Sequence, residues 1–196
     1  EYLGFEKKKV RLEGKRVSIL NEDRIKDSGS VKSSTDIVIE KITVLNNWPQ
    51  SYNSPSHLSI NHLAETKLDS FKFVVSGTGE NAKSKILSQP VIDNNILFFL
   101  DAKNNVISFD LKNNRILWRK NISLKNEKNH NIGGGITIYK SAVIVNSAYG
   151  QIISLDKLSG KVIWKINVES AIRSAPTVFD NKLLSLTLSN KLYVLN

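Results

Sequence analysis

The sequence predicts an all-β chain made of four-stranded antiparallel blades, an incomplete β-propeller. Three observations carry this. A segment repeats at 46 residues, turn signals recur about every ten residues, and no 3.6-residue apolar period competes with the short β-branched strands. Residues 106–120 read Val-Ile-Ser-Phe-Asp-Leu-Lys-Asn-Asn-Arg-Ile-Leu-Trp-Arg-Lys, and residues 152–166 read Ile-Ile-Ser-Leu-Asp-Lys-Leu-Ser-Gly-Lys-Val-Ile-Trp-Lys-Ile. Ile107/Ile153, Ser108/Ser154, Asp110/Asp156 and Trp118/Trp164 coincide. A third copy starts at Pro176, where Ala-Pro-Thr-Val-Phe-Asp-Asn-Lys parallels the Gln-Pro-Val-Ile-Asp-Asn-Asn of 89–95, and it runs to Asn196 at the Asp110 position. An earlier partial copy is Phe71–Gly77, which matches the stretch from Trp118.

Each element follows from local chemistry. After Pro90 come Val91-Ile92, a turn at Asp93-Asn94-Asn95, and a strand over Ile96–Leu100. A turn at Lys103-Asn104-Asn105 precedes the strand Val106–Phe109, and a turn at Lys112-Asn113-Asn114 precedes Ile116–Trp118. Asn114 and Gly160 occupy one repeat position, Asn104 and Gly150 another. Asn and Gly best tolerate the left-handed backbone of a tight turn. A repeat of about 40–50 residues holding four short strands is a propeller blade. Trp118 and Trp164, on the last strand of their blades, are large and flat and are expected to lie buried between neighbouring blades. Asp110 and Asp156 are expected to cap their turns through side-chain to backbone hydrogen bonds rather than to act as catalytic carboxylates.

The pattern of a turn Gly or Asn, a strand ending in Leu/Phe-Asp, a second Gly or Asn turn and a Trp eight residues after the Asp resembles the quinoprotein-type propeller repeat. Its clearest copy runs from Gly150 to Trp164. The stretches Leu12–Leu20, Asn47–Gln50, Pro55–His57, His62-Leu63 and Phe71–Gly79 are similar to the start of the B subunit of the outer-membrane β-barrel assembly machinery. That resemblance implies an eight-bladed propeller of which this chain holds about two and a half blades. It also implies a periplasmic lipoprotein that binds the barrel-forming subunit at the periplasmic face of the outer membrane. Membrane contact then comes only through a lipid anchor upstream of the chain. In such proteins the strand before the first full repeat completes the last blade, and Phe71–Ser76 stands at that place. The departures are Phe71 where the family usually has Trp, and an expected one-residue expansion at Ala142–Tyr149.

Composition narrows the chemistry. The chain has 196 residues and no Cys or Met, so it offers no disulfide, thiolate zinc site or cysteine nucleophile. A chain opening Glu1-Tyr2-Leu3 reads as processed or cut, and a stop in mid-repeat at Asn196 as the end of a fragment. The net charge of +10 comes from 28 Lys and Arg against 18 Asp and Glu. The lysines are scattered through turns rather than interleaved with stacking aromatics, which argues for a solvated surface and against nucleic acid. His57, His62 and His130 have no carboxylate or second His at ligand spacing, so no metal is expected. Gly133-Gly134-Gly135 lacks a following Lys-Ser/Thr and reads as a blade-entry turn rather than a phosphate loop.

The expected organisation is a basic tether over 1–36, an N-terminal segment over 37–85 with the ring-closing strand at 71–76, and repeats over 86–130, 131–170 and, in part, 171–196. Within the second of these, Ile37–Leu45 reads as strand-like, and Asn47-Trp48-Pro49 as packing at the ring entry. The expected function is a non-enzymatic scaffold without a cofactor that assists insertion of outer-membrane proteins. Two alternatives stay open: a fragment of a pyrroloquinoline-quinone dehydrogenase, and a protein-binding propeller without outer-membrane duties. Enzymes of the first kind carry Ca²⁺-binding carboxylates and commonly an adjacent Cys pair, and neither has a counterpart in this sequence.

Overall fold

The computed structural model describes residues 41–57, 61–63, 77–124 and 130–196. Residues 40–196 form one compact unit. The tether at 1–36 and the ring-closing strand at 71–76 lie outside the described residues.

Among the described residues, eleven strands build three sheets. The first holds β1 (Val91–Asp93), β2 (Ile96–Leu100), β3 (Asn105–Asp110) and β4 (Arg115–Asn121), in that order. The second holds β5 (Gly134–Tyr139), β6 (Ala142–Ser147), β7 (Gln151–Asp156) and β8 (Val162–Asn167), again in order. The third has β9 (Thr177–Phe179), β10 (Lys182–Leu186) and β11 (Leu192–Leu195), with β10 in the middle. Every named pairing is antiparallel, and the described residues contain no helix.

Turn chemistry sets these meanders. Asn94 and Asn95 have φ of 49° and 64°, and Asp180 and Asn181 have 47° and 58°. Two consecutive left-handed residues make the tight hairpin turn whose twist matches the strands it joins, and Asn and Asp are the side-chain-bearing residues that best accept it. The first two sheets also share their irregularity. Ser108 pairs with Trp118 and Ser154 with Trp164, and in each case the register shifts at the very next residue. A bulge at the same place adds twist and re-aims the side chains beside it, so both tryptophans leave their strands at the same point of the repeat.

The core lies between sheets. Phe98, Leu100 and Val106 of the first sheet pack with Ile136, Val143, Val145, Ile153 and Leu155 of the second. On the other face of the second sheet, Ile144 and Ile152 pack with Ile172 and Leu183 toward the third. Side chains alternate across a strand, so a sheet covered on both faces needs apolar residues at successive positions. That is why β6 and β7 are buried almost end to end.

Three local expectations are corrected. The 46-residue offset holds without a gap from the Ile92–Leu97 pair, matched by Ile138–Val143, to the tryptophans, so Ala142–Tyr149 contains no extra residue. Only Gly133 of the glycine triplet lies in a bend; Gly134 and Gly135 already belong to β5. Gly135 is needed there because a Cβ would lie 2.5 Å from that of Ala175 in the chain entering the third sheet. Of the strand-like segment expected over Ile37–Leu45, residues 37–40 lie outside the described residues, and in 41–45 Thr43 makes only an isolated parallel bridge with His62.

Candidate functional site: the seams between blades

The repeat residues converge on the seam between the first and second sheets. Trp118 projects from β4 and is half-buried; its indole N–H donates to the carbonyl of Lys157 at 3.0 Å, in the turn between β7 and β8. The ring also lies against Gly160, where a Cβ would come within 2.6 Å of it, and φ at Gly160 is +68°. Glycine is therefore required there both by the backbone and by the tryptophan. Phe98 supplies a tilted aromatic contact at 5.8 Å. Lys157 stitches the seam a second time. Its Nζ donates to Asp93 Oδ2 at 2.5 Å and to the Lys140 carbonyl at 3.3 Å. The Lys157 and Asp93 side chains retain only 19% and 16% of their exposure.

The second seam uses different residues. Tyr139 donates its hydroxyl to Asn181 Oδ1 at 2.7 Å. Asn146, fully buried, donates to the Ser174 carbonyl and accepts from Ser185 Oγ, both at 3.1 Å. Thr137 Oγ1 donates to the Pro176 carbonyl, and Arg173 donates to the Ile132 carbonyl at 2.7 Å. Trp164 departs from expectation. It is 36% exposed and lines a cleft of about 150 Å³ with Tyr139, Ile144, Leu183 and Leu195. The cause is positional. Trp118 is covered by the turn after β7, whereas the third sheet in this chain stops at β11 and brings no corresponding turn over Trp164.

The repeat aspartates cap turns. Asp110 accepts from the amides of Lys112 and Asn113, both at 2.9 Å, and from Asn113 Nδ2 at 2.7 Å. Asp156 accepts from the amide of Ser159 at 2.8 Å and its hydroxyl at 2.6 Å. These bonds, led by the Asn113 and Ser159 side chains, hold both carboxyls below the usual range. Gly150, with φ of +78°, turns the chain where a Cβ would meet the carbonyls of Val168 and Ser170 at 2.8 Å.

Sequence reasoning missed Asp101, the most enclosed of these carboxylates at 1% exposure. Its oxygens accept from Thr78, Lys103 and Asn105 amides and from Asn105 Nδ2, at 2.8–2.9 Å. Burial pushes its pKa up, but these hydrogen bonds outweigh burial and the net displacement is downward. The left-handed Asn104 three residues later is the one signal that pointed to a capped turn there. Lys157, Asp93 and Asn146 were missed as well, because nothing in a single strand shows which sheet its side chains will meet.

The three histidines are dispersed. His57 stacks on Tyr52 at 4.7 Å, His62 meets Trp48 edge-on at 6.3 Å, and His130 Nδ1 bonds Ser84 Oγ at 2.9 Å. Among the described residues no group of three or more His, Cys, Asp or Glu is arranged to hold a metal ion, and no helix is long and apolar enough to cross a membrane.

Comparison with known proteins agrees with this architecture. Residues 117–196 match the family model described as outer membrane protein assembly factor BamB. The uncharacterized protein RC0314 of Rickettsia conorii is 33% identical over 116 residues, 59% of this chain and 28% of that protein. The quinoprotein alcohol dehydrogenase PedH of Pseudomonas putida is 22% identical over 176 residues, 86% of this chain and 28% of the enzyme. The chain thus spans little more than a quarter of the curated relatives it matches. Among solved structures, quinohemoprotein alcohol dehydrogenase from Comamonas testosteroni superposes with a TM-score of 0.58 at 16% identity, covering 76% of this chain and 27% of its own. That likeness shows the fold. The chain shares the β-propeller-blade fold of that quinoprotein, and its residues 117–196 carry the match to the assembly-factor family.

Proposed function

We propose that the chain is part of a non-catalytic periplasmic scaffold that binds the barrel-forming subunit of the outer-membrane assembly machinery and assists insertion of outer-membrane proteins. The observation that carries this reading is the match of residues 117–196 to the assembly-factor family model. The chemistry of the seams supports it. Asp93 is paired with Lys157, Asp101 already accepts four hydrogen bonds, and Asp110 and Asp156 cap turns. Each of these carboxylates is engaged in holding its own turn or seam.

The second reading, a fragment of a quinone-dependent alcohol dehydrogenase, is favoured by the similarity to PedH over most of the chain. Titration calorimetry on the complete protein separates the two. The scaffold reading expects saturable binding to the purified barrel-forming subunit and none to pyrroloquinoline quinone with Ca²⁺. A micromolar dissociation constant for the quinone, with alcohol-dependent dye reduction, would replace it by the dehydrogenase reading.

A further inference from the structure

The first strands of the three sheets, β1, β5 and β9, lie at the same edge of each sheet. An edge strand presents unpaired amides, which either meet water or recruit another chain. Here three equivalent amides are taken by three consecutive residues of one upstream segment. Ile92 N–H donates to the Trp48 carbonyl at 2.9 Å, Ile138 N–H to the Pro49 carbonyl at 2.7 Å, and Val178 N–H to Gln50 Oε1 at 3.0 Å. Ile92, Ile138 and Val178 are each the penultimate residue of their strand, and pair with Leu97, Val143 and Leu183 in matching registers. The segment is fastened at both ends. Asn47 Oδ1 accepts from Asn94 N–H at 2.9 Å, and Tyr52 N–H donates to Gln89 Oε1 at 3.2 Å. Gln50 keeps only 8% of its exposure, an unusual burial for that residue type unless its amide is in use.

We propose that the β1, β5 and β9 edges of the three sheets form a peptide-binding site, a row of one donor per sheet, and that Trp48-Pro49-Gln50 is its built-in ligand. The site takes an extended segment that offers one acceptor for each sheet. Pro49 suits the middle position because only its carbonyl is needed and its φ is already fixed. Two consequences follow for the molecule. The strap bonds to the first, second and third sheets at once, whereas stacked repeats contact only their neighbours. It also removes these three edges as docking strands, so an external strand cannot add there and a partner must use other surfaces. This inference rests on the strap's hydrogen bonds alone and stands whichever function the chain serves.

Residue-resolved hydrogen exchange on the 196-residue chain tests it, with Gln50→Ala and Gln50→Glu as variants. In the unmodified chain the Ile92, Ile138 and Val178 amides should all be protected. Gln50→Ala should speed Val178 by about tenfold or more while Ile92 and Ile138 stay slow, as loss of one local bond predicts. Gln50→Glu keeps an acceptor oxygen and should restore slow exchange at Val178. An unprotected Val178 in the unmodified chain, or one indifferent to Gln50→Ala, overturns the site. Should Gln50→Ala unfold the whole chain, seen as fast exchange at core Val106 too, the Glu variant decides: fast Val178 in a folded Gln50→Glu chain sinks the proposal.

Discussion

Trp118 and Trp164 hold the same repeat position but differ in what covers them, and their substitution should differ accordingly. Trp118 packs on Gly160 and Phe98 and satisfies its indole N–H on Lys157. Trp118→Ala should therefore cost about 3–5 kcal/mol, the range for a large core aromatic. Trp164 retains 36% of its exposure, so Trp164→Ala should cost markedly less, about 1–2 kcal/mol. Urea unfolding of both variants followed by far-ultraviolet circular dichroism measures the difference, and equal costs would contradict the unequal cover. Asp101 gives the pH dependence. Its carboxyl is depressed in the folded chain, so the unfolded chain takes up the proton first as pH falls. Its contribution is whole above the unfolded value of about 3.9 and is lost as pH drops through the lower folded value. Asp101→Asn should flatten the loss of stability below about pH 4, measured as the denaturation midpoint at stepped pH.

At the scale of elements, the turn between β7 and β8 belongs energetically to two sheets. It completes its own hairpin and at the same time presents the Lys157 carbonyl to Trp118 and the Lys157 ammonium to Asp93 in the β1–β2 turn. The ion pair is largely shielded from water, so removing one partner leaves the other without compensation. Lys157→Met alone should destabilise by about 1–3 kcal/mol, and the double variant with Asp93→Asn by less than the two single costs added. A double-mutant cycle in urea measures the coupling, and a value of zero would mean that the pair does not hold the seam. The hairpins themselves were legible in the sequence, because their signal is local: Asn-Asn and Asp-Asn at left-handed positions, with β-branched residues on either side. The seam was not legible, because Lys157 and Asp93 are 64 residues apart and each alone reads as an ordinary turn residue.

For the whole molecule, the third sheet matters most. One of its faces packs through Leu183, Tyr193 and Leu195 against the second sheet. On the strands of that same sheet Leu186, Leu192 and Val194 remain 49–60% exposed, and Leu184, Leu186 and Leu192 border a cleft of about 350 Å³ with Tyr52 and His57. An uncovered apolar sheet face of this kind favours association with another chain. The 196-residue chain should therefore run above its 22.0 kDa monomer mass in gel filtration with light scattering. A Leu186→Lys, Leu192→Lys variant should shift it toward monomer. A monodisperse, cooperatively melting monomer of the unsubstituted chain would mean that the face needs no cover.

The sequence alone determined the repeat, its hairpin turns, the capping role of Asp110 and Asp156, and the left-handed turn at positions 114 and 160. Each of these depends on neighbours within a few residues or on similarity at a fixed spacing, and both survive in a linear string. The tertiary structure decided which faces meet. It gave Lys157 its two partners, covered Trp118 and left Trp164 open, and laid Trp48-Pro49-Gln50 across three strands that lie 44 to 128 residues further along the chain. Contacts at such separations form only when the sheets stack, and a periodic pattern is silent about them because every repeat carries nearly the same one.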